Sequence, residues 1–234
     1  MISALEIKKE LQKVCSKERA KSSAWFFKTN KGQYGEGDVF IGVTVPEQRK
    51  VAKNFYQDIN LSELQKLLRS EIHEHRLVAL LILVFKFKKS REKRFVDFYL
   101  KNLKYINNWD LIDLSSYHIL GVWLFDKKDR KVLYKLAHSK DFWENRIAIV
   151  STYVFIKNNS FEDTLKISEI LLNHRHDLIH KAVGWMLREV GNRDLKTEEL
   201  FLRKYYKQMP RTMLRYAIEK FPEAKRQRYL RGKV

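Results

Sequence analysis

His75-Arg76-Leu-Val-Ala-Leu-Leu-Ile-Leu-Val-Phe85 and Asn145-Arg146-Ile-Ala-Ile-Val-Ser-Thr-Tyr-Val-Phe155 share a polar–basic start followed by a mostly apolar run. Shorter echoes stand at His180-Lys181-Ala-Val-Gly-Trp-Met-Leu and Leu214-Arg215-Tyr-Ala-Ile. The basic residue falls at 76, 146, 181 and 215, at intervals of 70, 35 and 34, so one member is skipped near 111, inside Trp109-Asp-Leu-Ile-Asp113. A period of about 35 residues is the length of a two-helix repeat, in which no single pair buries its own apolar face and stacking of neighbours makes the core. The diagnostic residues of TPR repeats are absent. The period therefore predicts an all-α chain, an α-solenoid of HEAT-like helical repeats.

The residues around these runs agree. Prolines stand only at 46, 210 and 222, and four of the eight glycines fall within 32–42, which leaves little between Pro46 and Pro210 to break a helix. Apolar residues recur at helical spacing, as in Leu61, Leu64, Leu67 and Leu68, or Phe95, Phe98, Tyr99 and Leu103. The pattern predicts helices near 3–27, 46–58, 61–70, 73–87, 90–105, 108–125, 128–138, 141–158, 160–173, 176–191, 195–206, 211–220 and 222–230. The whole of 1–234 reads as one repeat domain, with N-terminal helices and a Gly-rich loop over 1–45 and repeats over about 46–234.

Charge points to the partner. Forty-seven Lys and Arg against 28 Asp and Glu give a net charge of +19, and a folded protein that basic normally meets a polyanion. A hydrophobic content of 44% excludes general disorder. Equivalent positions of successive repeats line up along one wall, so Arg76, Arg146, Lys181 and Arg215 are expected to form a basic stripe on a concave face suited to a duplex backbone. Residues 203–234 add eleven Lys and Arg against two Glu. Residues 1–10 interleave apolar and charged side chains and do not read as a signal peptide. The longest apolar run, 77–85, falls short of the roughly 20 residues a bilayer span needs. A soluble, cytoplasmic protein without membrane association is expected, monomeric and at the nucleoid when acting. Cys15 is the single cysteine, which excludes an intramolecular disulfide and a cysteine-based zinc site.

Few residues offer chemistry. In Asn107-Asn108-Trp109-Asp110-Leu-Ile-Asp113, an asparagine can cap a helix and Asp110 suits its first turn. Asp113 needs another account. It shares a helical face with Trp109, and two readings fit: a salt bridge to Arg146 of the next repeat, or a carboxylate kept for a ligand. Lys181 and Trp185 are spaced alike, with Trp185 open to a core or a site role. Gly184, mid-helix, predicts close approach by another helix or a ligand. His176 and His180 have a metal-compatible spacing that more often marks a solvated helix start, and no metal or other cofactor is expected. Gly32-x-x-Gly35-x-Gly37 lacks the strand and Gly-Lys-Ser/Thr of a nucleotide loop, though a loop touching DNA stays open.

Asn-Asn-Trp-Asp-x-x-Asp, Trp143-x-x-Arg146-x-Ala-x-Val and Lys-Ala-Val-Gly-Trp-x-Leu-Arg188-Glu resemble the DNA alkylation repair glycosylases of the AlkD family, a HEAT-like superfamily. Gly-Glu-Gly-Asp38-x-Phe40-x-Gly42-Val-x-x-Pro46-Glu-x-Arg49 is similar to that family's N-terminal segment. The resemblance runs from about residue 22 to 190. It implies that Trp109, Asp113, Arg146 and Trp185 occupy active-site positions, with Tyr34 as the N-terminal aromatic. The implied partner is double-stranded DNA with alkylated bases; Arg76, Lys181 and Arg215 of the stripe, with Arg188 and Tyr34, are the residues expected to touch it. The implied reaction is hydrolysis of the N-glycosidic bond of cationic N3- or N7-alkylated purines, without a deep base pocket. Some relatives lack the carboxylate and only bind DNA, so a non-catalytic binder of damaged or branched DNA is the alternative; this chain retains Asp113.

Overall fold

The structure is a computed structural model that describes residues 2–234, and its chain falls into two compact units that divide between Ser115 and Ser116. The first unit contains α1 (Ala4–Gln12), α2 (Lys17–Phe26), α3 (Val45–Phe55), α4 (Leu61–Leu68), α5 (His73–Ser90), α6 (Lys93–Lys101) and the short α7 (Trp109–Asp113). The second contains α8 (Val122–Phe125), α9 (Lys131–Ala137), α10 (Phe142–Ser151), α11 (Tyr153–Lys157), α12 (Glu162–Ile170), α13 (Asp177–Gly191), α14 (Leu195–Tyr205), α15 (Arg211–Ala217) and α16 (Glu223–Leu230). Among the described residues there is no β-strand, only isolated bridges at Ile2–Ile59 and Val39–Ile72. The all-α fold that the repeat period predicts is thus the fold observed.

Local chemistry sets the helix ends. Ser3 with Glu6, and Thr44 with Glu47, form capping boxes that satisfy first-turn amides. The single helix expected over 3–27 is two helices. The chain turns after Gln12, and the Ser16 hydroxyl accepts from Arg19 N to start α2. The helix expected over 108–125 is broken as well: α7 ends at Asp113 and a turn of π-helix spans Tyr117–Gly121 before α8.

Each unit has one helix at its centre. In the first, α5 packs on α3, α4, α6 and α7, and every side chain from 73 to 84 is buried. A helix buried on all sides has no solvent face. In the second, α13 packs on α10, α12, α14 and α15. Gly184 allows that: a Cβ there would lie 2.4 Å from Met213 O and 2.5 Å from Tyr216 Cβ. Of the two expected causes of this glycine, the approaching helix is the real one.

Loop 38–43 is fastened to the start of α5. His73 N donates to Val39 O at 2.8 Å, and the buried Glu74 carboxylate accepts the amides of Ile41, Gly42 and Val43. Gly42 has φ of +78° and no room for a side chain, since a Cβ would meet Ser16 O at 2.1 Å. The amides of 41–43 that would suit an anion therefore already hold a carboxylate of the chain itself.

Candidate active site

Trp109 opens α7, and Asn108 precedes it as N-cap, its side-chain oxygen accepting from Trp109 N at 2.8 Å. The half-exposed indole lies flat on Phe27, with ring centroids 5.1 Å apart and planes 13° apart, and meets Phe26 edge-on at 5.9 Å. Beneath Phe27 the stack continues to Phe40 at 5.0 Å and His73 at 5.1 Å, and Phe40 and His73 are stacked at 4.6 Å. Offset and edge contacts of this kind add roughly 0.5–1.5 kcal/mol each beyond the area they bury.

His73 is the hub of a buried charge network. Its Nδ1–H donates to Asp38 Oδ2 at 3.0 Å and its Nε2–H to Asp110 Oδ2 at 2.8 Å. Asp38 also accepts from Arg76 Nη2 at 2.6 Å and from Asn108 Nδ2 at 3.0 Å, while Asp110 Oδ1 caps Leu111 N at 2.8 Å. Two carboxylates thus face one guanidinium and one imidazolium. Burial opposes the charge on His73, but the Asp110 carboxylate and then Asp38 outweigh it, and its pKa is pushed up to about 9. Burial likewise works against Asp38, yet His73, Arg76 and Asn108 hold it below the usual carboxylate range.

Asp113 closes α7 one turn after Trp109 and is half-buried. Its charge reaches the interior: the fully buried Tyr99 hydroxyl, bonded to Ser115 Oγ at 3.1 Å, is pushed well above the tyrosine range by burial and further by Asp113.

The second unit places the other expected residues. Arg146, on α10, is 6% exposed and donates from Nη1 to Leu178 O at 2.6 Å. Trp185, on α13, is half-buried; its Nε1–H donates to Glu189 at 3.0 Å and its ring lies 5.8 Å from Tyr153. Lys181 pairs with Asp177 at 2.7 Å, Arg188 with Glu219 and Glu189, and Arg215 is exposed. His180 Nε2 bonds His174 O at 2.5 Å, and no cluster of three metal-ligating side chains occurs among the described residues. No helix among them is long and apolar enough to cross a membrane.

These positions correct two expectations. Arg76 is not a surface cation for DNA: it is 6% exposed and committed to Asp38, so the expected four-residue surface stripe fails at Arg76 and, equally buried, at Arg146. Asp110 does more than begin a helix, since it carries half of the His73 pairing. The sequence reading also missed Phe26 and Phe27. They are the rings packed on Trp109, whereas Tyr34 sends its hydroxyl to Phe26 O at 3.5 Å. The adjacent aromatics at the end of α2 were the available signal.

The sequence matches the model of a family described as DNA alkylation repair enzyme over residues 7–221. Among solved structures, one titled a predicted DNA alkylation repair enzyme from Enterococcus faecalis superposes with a TM-score of 0.70, covering 89% of this chain and 97% of its own, at 16% identity. That likeness is one of fold. No curated protein matches the sequence.

Proposed function

This chain belongs to the DNA alkylation repair enzyme family, and from that premise we propose that it is a monofunctional glycosylase that hydrolyses the N-glycosidic bond of N3- or N7-alkylated purines in duplex DNA. The observation that carries the reading is the pair on α7: an indole backed by Phe27, with a carboxylate one turn along.

An N3- or N7-alkylated purine is cationic, so its base leaves without a general acid. Water adds at C1′ as the C1′–N bond breaks; the bonding electron pair departs with the base, which leaves neutral, and the proton from water passes to solvent. The remaining demand is stabilisation of positive charge on the sugar and a placed water, and Asp113 is assigned to both. Trp109 offers its face to the cationic nucleotide, worth roughly 0.5–2 kcal/mol. In the second unit, Trp185 is assigned to a further π face for the duplex; Arg146, as buried as Arg76 and bonded to Leu178 O, is assigned to holding the start of α13 rather than to a surface phosphate. Lys181, Arg188, Arg215 and Tyr34 are assigned to further contacts with the duplex; Arg76 is not.

Methylated duplex DNA incubated with the protein is expected to release free 7-methylguanine or 3-methyladenine and to leave abasic sites with the strands intact. Tight binding of the same duplex with no base released would make the protein a binder and not an enzyme.

A further inference from the structure

Three segments distant in sequence converge on one imidazole: Asp38 from the Gly-rich loop, His73 and Arg76 from the first turn of α5, and Asn108 and Asp110 from the start of α7. His73 and Arg76 are three residues apart and share a helix face, which lets both reach Asp38. His73 is 1% exposed, and both of its ring nitrogens point at carboxylate oxygens. Packing alone does not explain such an arrangement, because apolar residues of similar volume fill a core at least as stably as a buried ion network. A proton shuttle does not explain it either, since each ring nitrogen is capped by a carboxylate and the ring is sealed from solvent.

What the network touches is more telling. Asn108 and Asp110 are the two chain neighbours of Trp109, and both are tied to the same Asp38–His73 unit. His73 lies tilted against Phe27 and stacks on Phe40, which stacks on Phe27, and Phe27 supports the face of Trp109. Trp109 is therefore held through its backbone on both sides and through one face of its ring, yet its side chain makes no hydrogen bond to any member of the network.

We propose that Asp38, His73 and Asp110 are positioning residues that fix the orientation of the Trp109 indole, and with it the α7 turn that carries Asp113. The doubly donating imidazolium is the pin: it is the state of the ring that can hold two carboxylates at once. The paired charges cancel, so the stack under Trp109 presents no net positive charge to a cationic base. This rests on the glycosylase reading for its consequence in catalysis, but not for its consequence in the position of Trp109.

The test uses full-length protein carrying His73→Gln, which cannot donate to both carboxylates, and Asp110→Asn, which keeps the bond to Leu111 N and the shape but removes one charge. Three quantities are measured: the indole ¹H–¹⁵N resonance of Trp109, identified with Trp109→Phe; the single-turnover rate constant for 7-methylguanine release at saturating protein; and affinity for undamaged duplex. Both variants are expected to move the Trp109 resonance more than those of the other four tryptophans. Excision is expected to fall at least tenfold with duplex affinity within about twofold. An unmoved Trp109 resonance in folded Asp110→Asn protein overturns the proposal, even if His73→Gln fails to fold. So does excision within twofold of wild type in both variants. If wild-type protein releases no base, the glycosylase reading fails by itself, and the Trp109 resonance alone upholds or overturns the positioning role.

Discussion

Two buried groups, one in each unit, titrate near the same pH for opposite reasons. His73 is kept charged by company, with a carboxylate on each nitrogen, and its pKa is pushed up to about 9. Glu198, on α14, is kept neutral by isolation. Its side chain is 1% exposed, its Oε1 has no hydrogen-bond partner, and burial, then the nearby Glu199 charge, pushes it up to about 9 against the pull of Lys225 and Arg188. The first unit encloses His73 and Arg76 with two carboxylates as a closed, neutral set beneath an aromatic stack, and holds the buried Glu74 carboxylate on the amides of 41–43. The second tolerates a buried acid and packs α13 closely on α15 at Gly184. At His73 paired charge fixes the geometry; at Gly184 close packing does.

The largest expected effect comes from opening the closed set. Asp38→Ala leaves Arg76 and His73 with one carboxylate between them and is expected to cost about 3–5 kcal/mol in urea unfolding at neutral pH, the scale of a broken buried pair. A loss below about 1 kcal/mol would mean that the network does not act as a closed unit.

Next come the pH windows, which have the same sign but different onsets. Each group has a folded pKa above its unfolded value, so the folded state binds the extra proton and stability declines as pH rises between the two values. For His73 the contribution is whole below about 6.5 and is lost as pH climbs through about 9. For Glu198 the decline begins near 4.5 and ends near 9. Glu198→Gln is therefore expected to stabilise the protein by on the order of 3 kcal/mol at pH 7 and by little near pH 4.5. His73→Gln is expected to leave the slope between pH 4.5 and 6.5 in place and to flatten only the alkaline side. Unfolding free energies of the two variants from pH 4.5 to 9.5 check both; identical pH profiles for the two would contradict the assignment.

The smallest effects belong to the half-buried Lys181 and the exposed Arg215. Lys181→Gln and Arg215→Gln are each expected to make the slope of log affinity against log salt shallower, by about 0.9 for every phosphate the variant no longer neutralises. Arg76→Gln is expected to leave the slope alone and to lower the melting temperature. A slope that responds to Arg76 as strongly as to the other two would restore the surface stripe.

Much of this was legible in the sequence, and the reasons why parts were not are specific. Helical spacing and the 35-residue period gave nearly every helix, because each repeat must bury the same face. The same period misled at Arg76. Repeat phase gives an angle around a helix, but α5 is buried on all sides from 73 to 84 and that angle leads into the core. Capping accounts for Asp110 well enough to hide its second oxygen, which serves His73 from 37 residues away. The network has no local signature, since Asp38, His73 and Asp110 are joined only by tertiary structure. The break at Ser16 was readable, a serine placed before Lys17-Glu18-Arg19 as a cap, but the surrounding helix formers outweighed it.

In the proposed function, the carboxylate of Asp113 does the chemistry beside Trp109. Single-turnover release of 7-methylguanine by wild type and Asp113→Asn, with melting temperatures to correct for folded protein, tests it most directly. The expected result is a fall in the excision rate constant of roughly 10² or more, with duplex affinity held or improved because a negative charge has been removed from a group assigned to face DNA. A lower melting temperature with excision at near wild-type rate would make Asp113 a structural carboxylate and contradict the account.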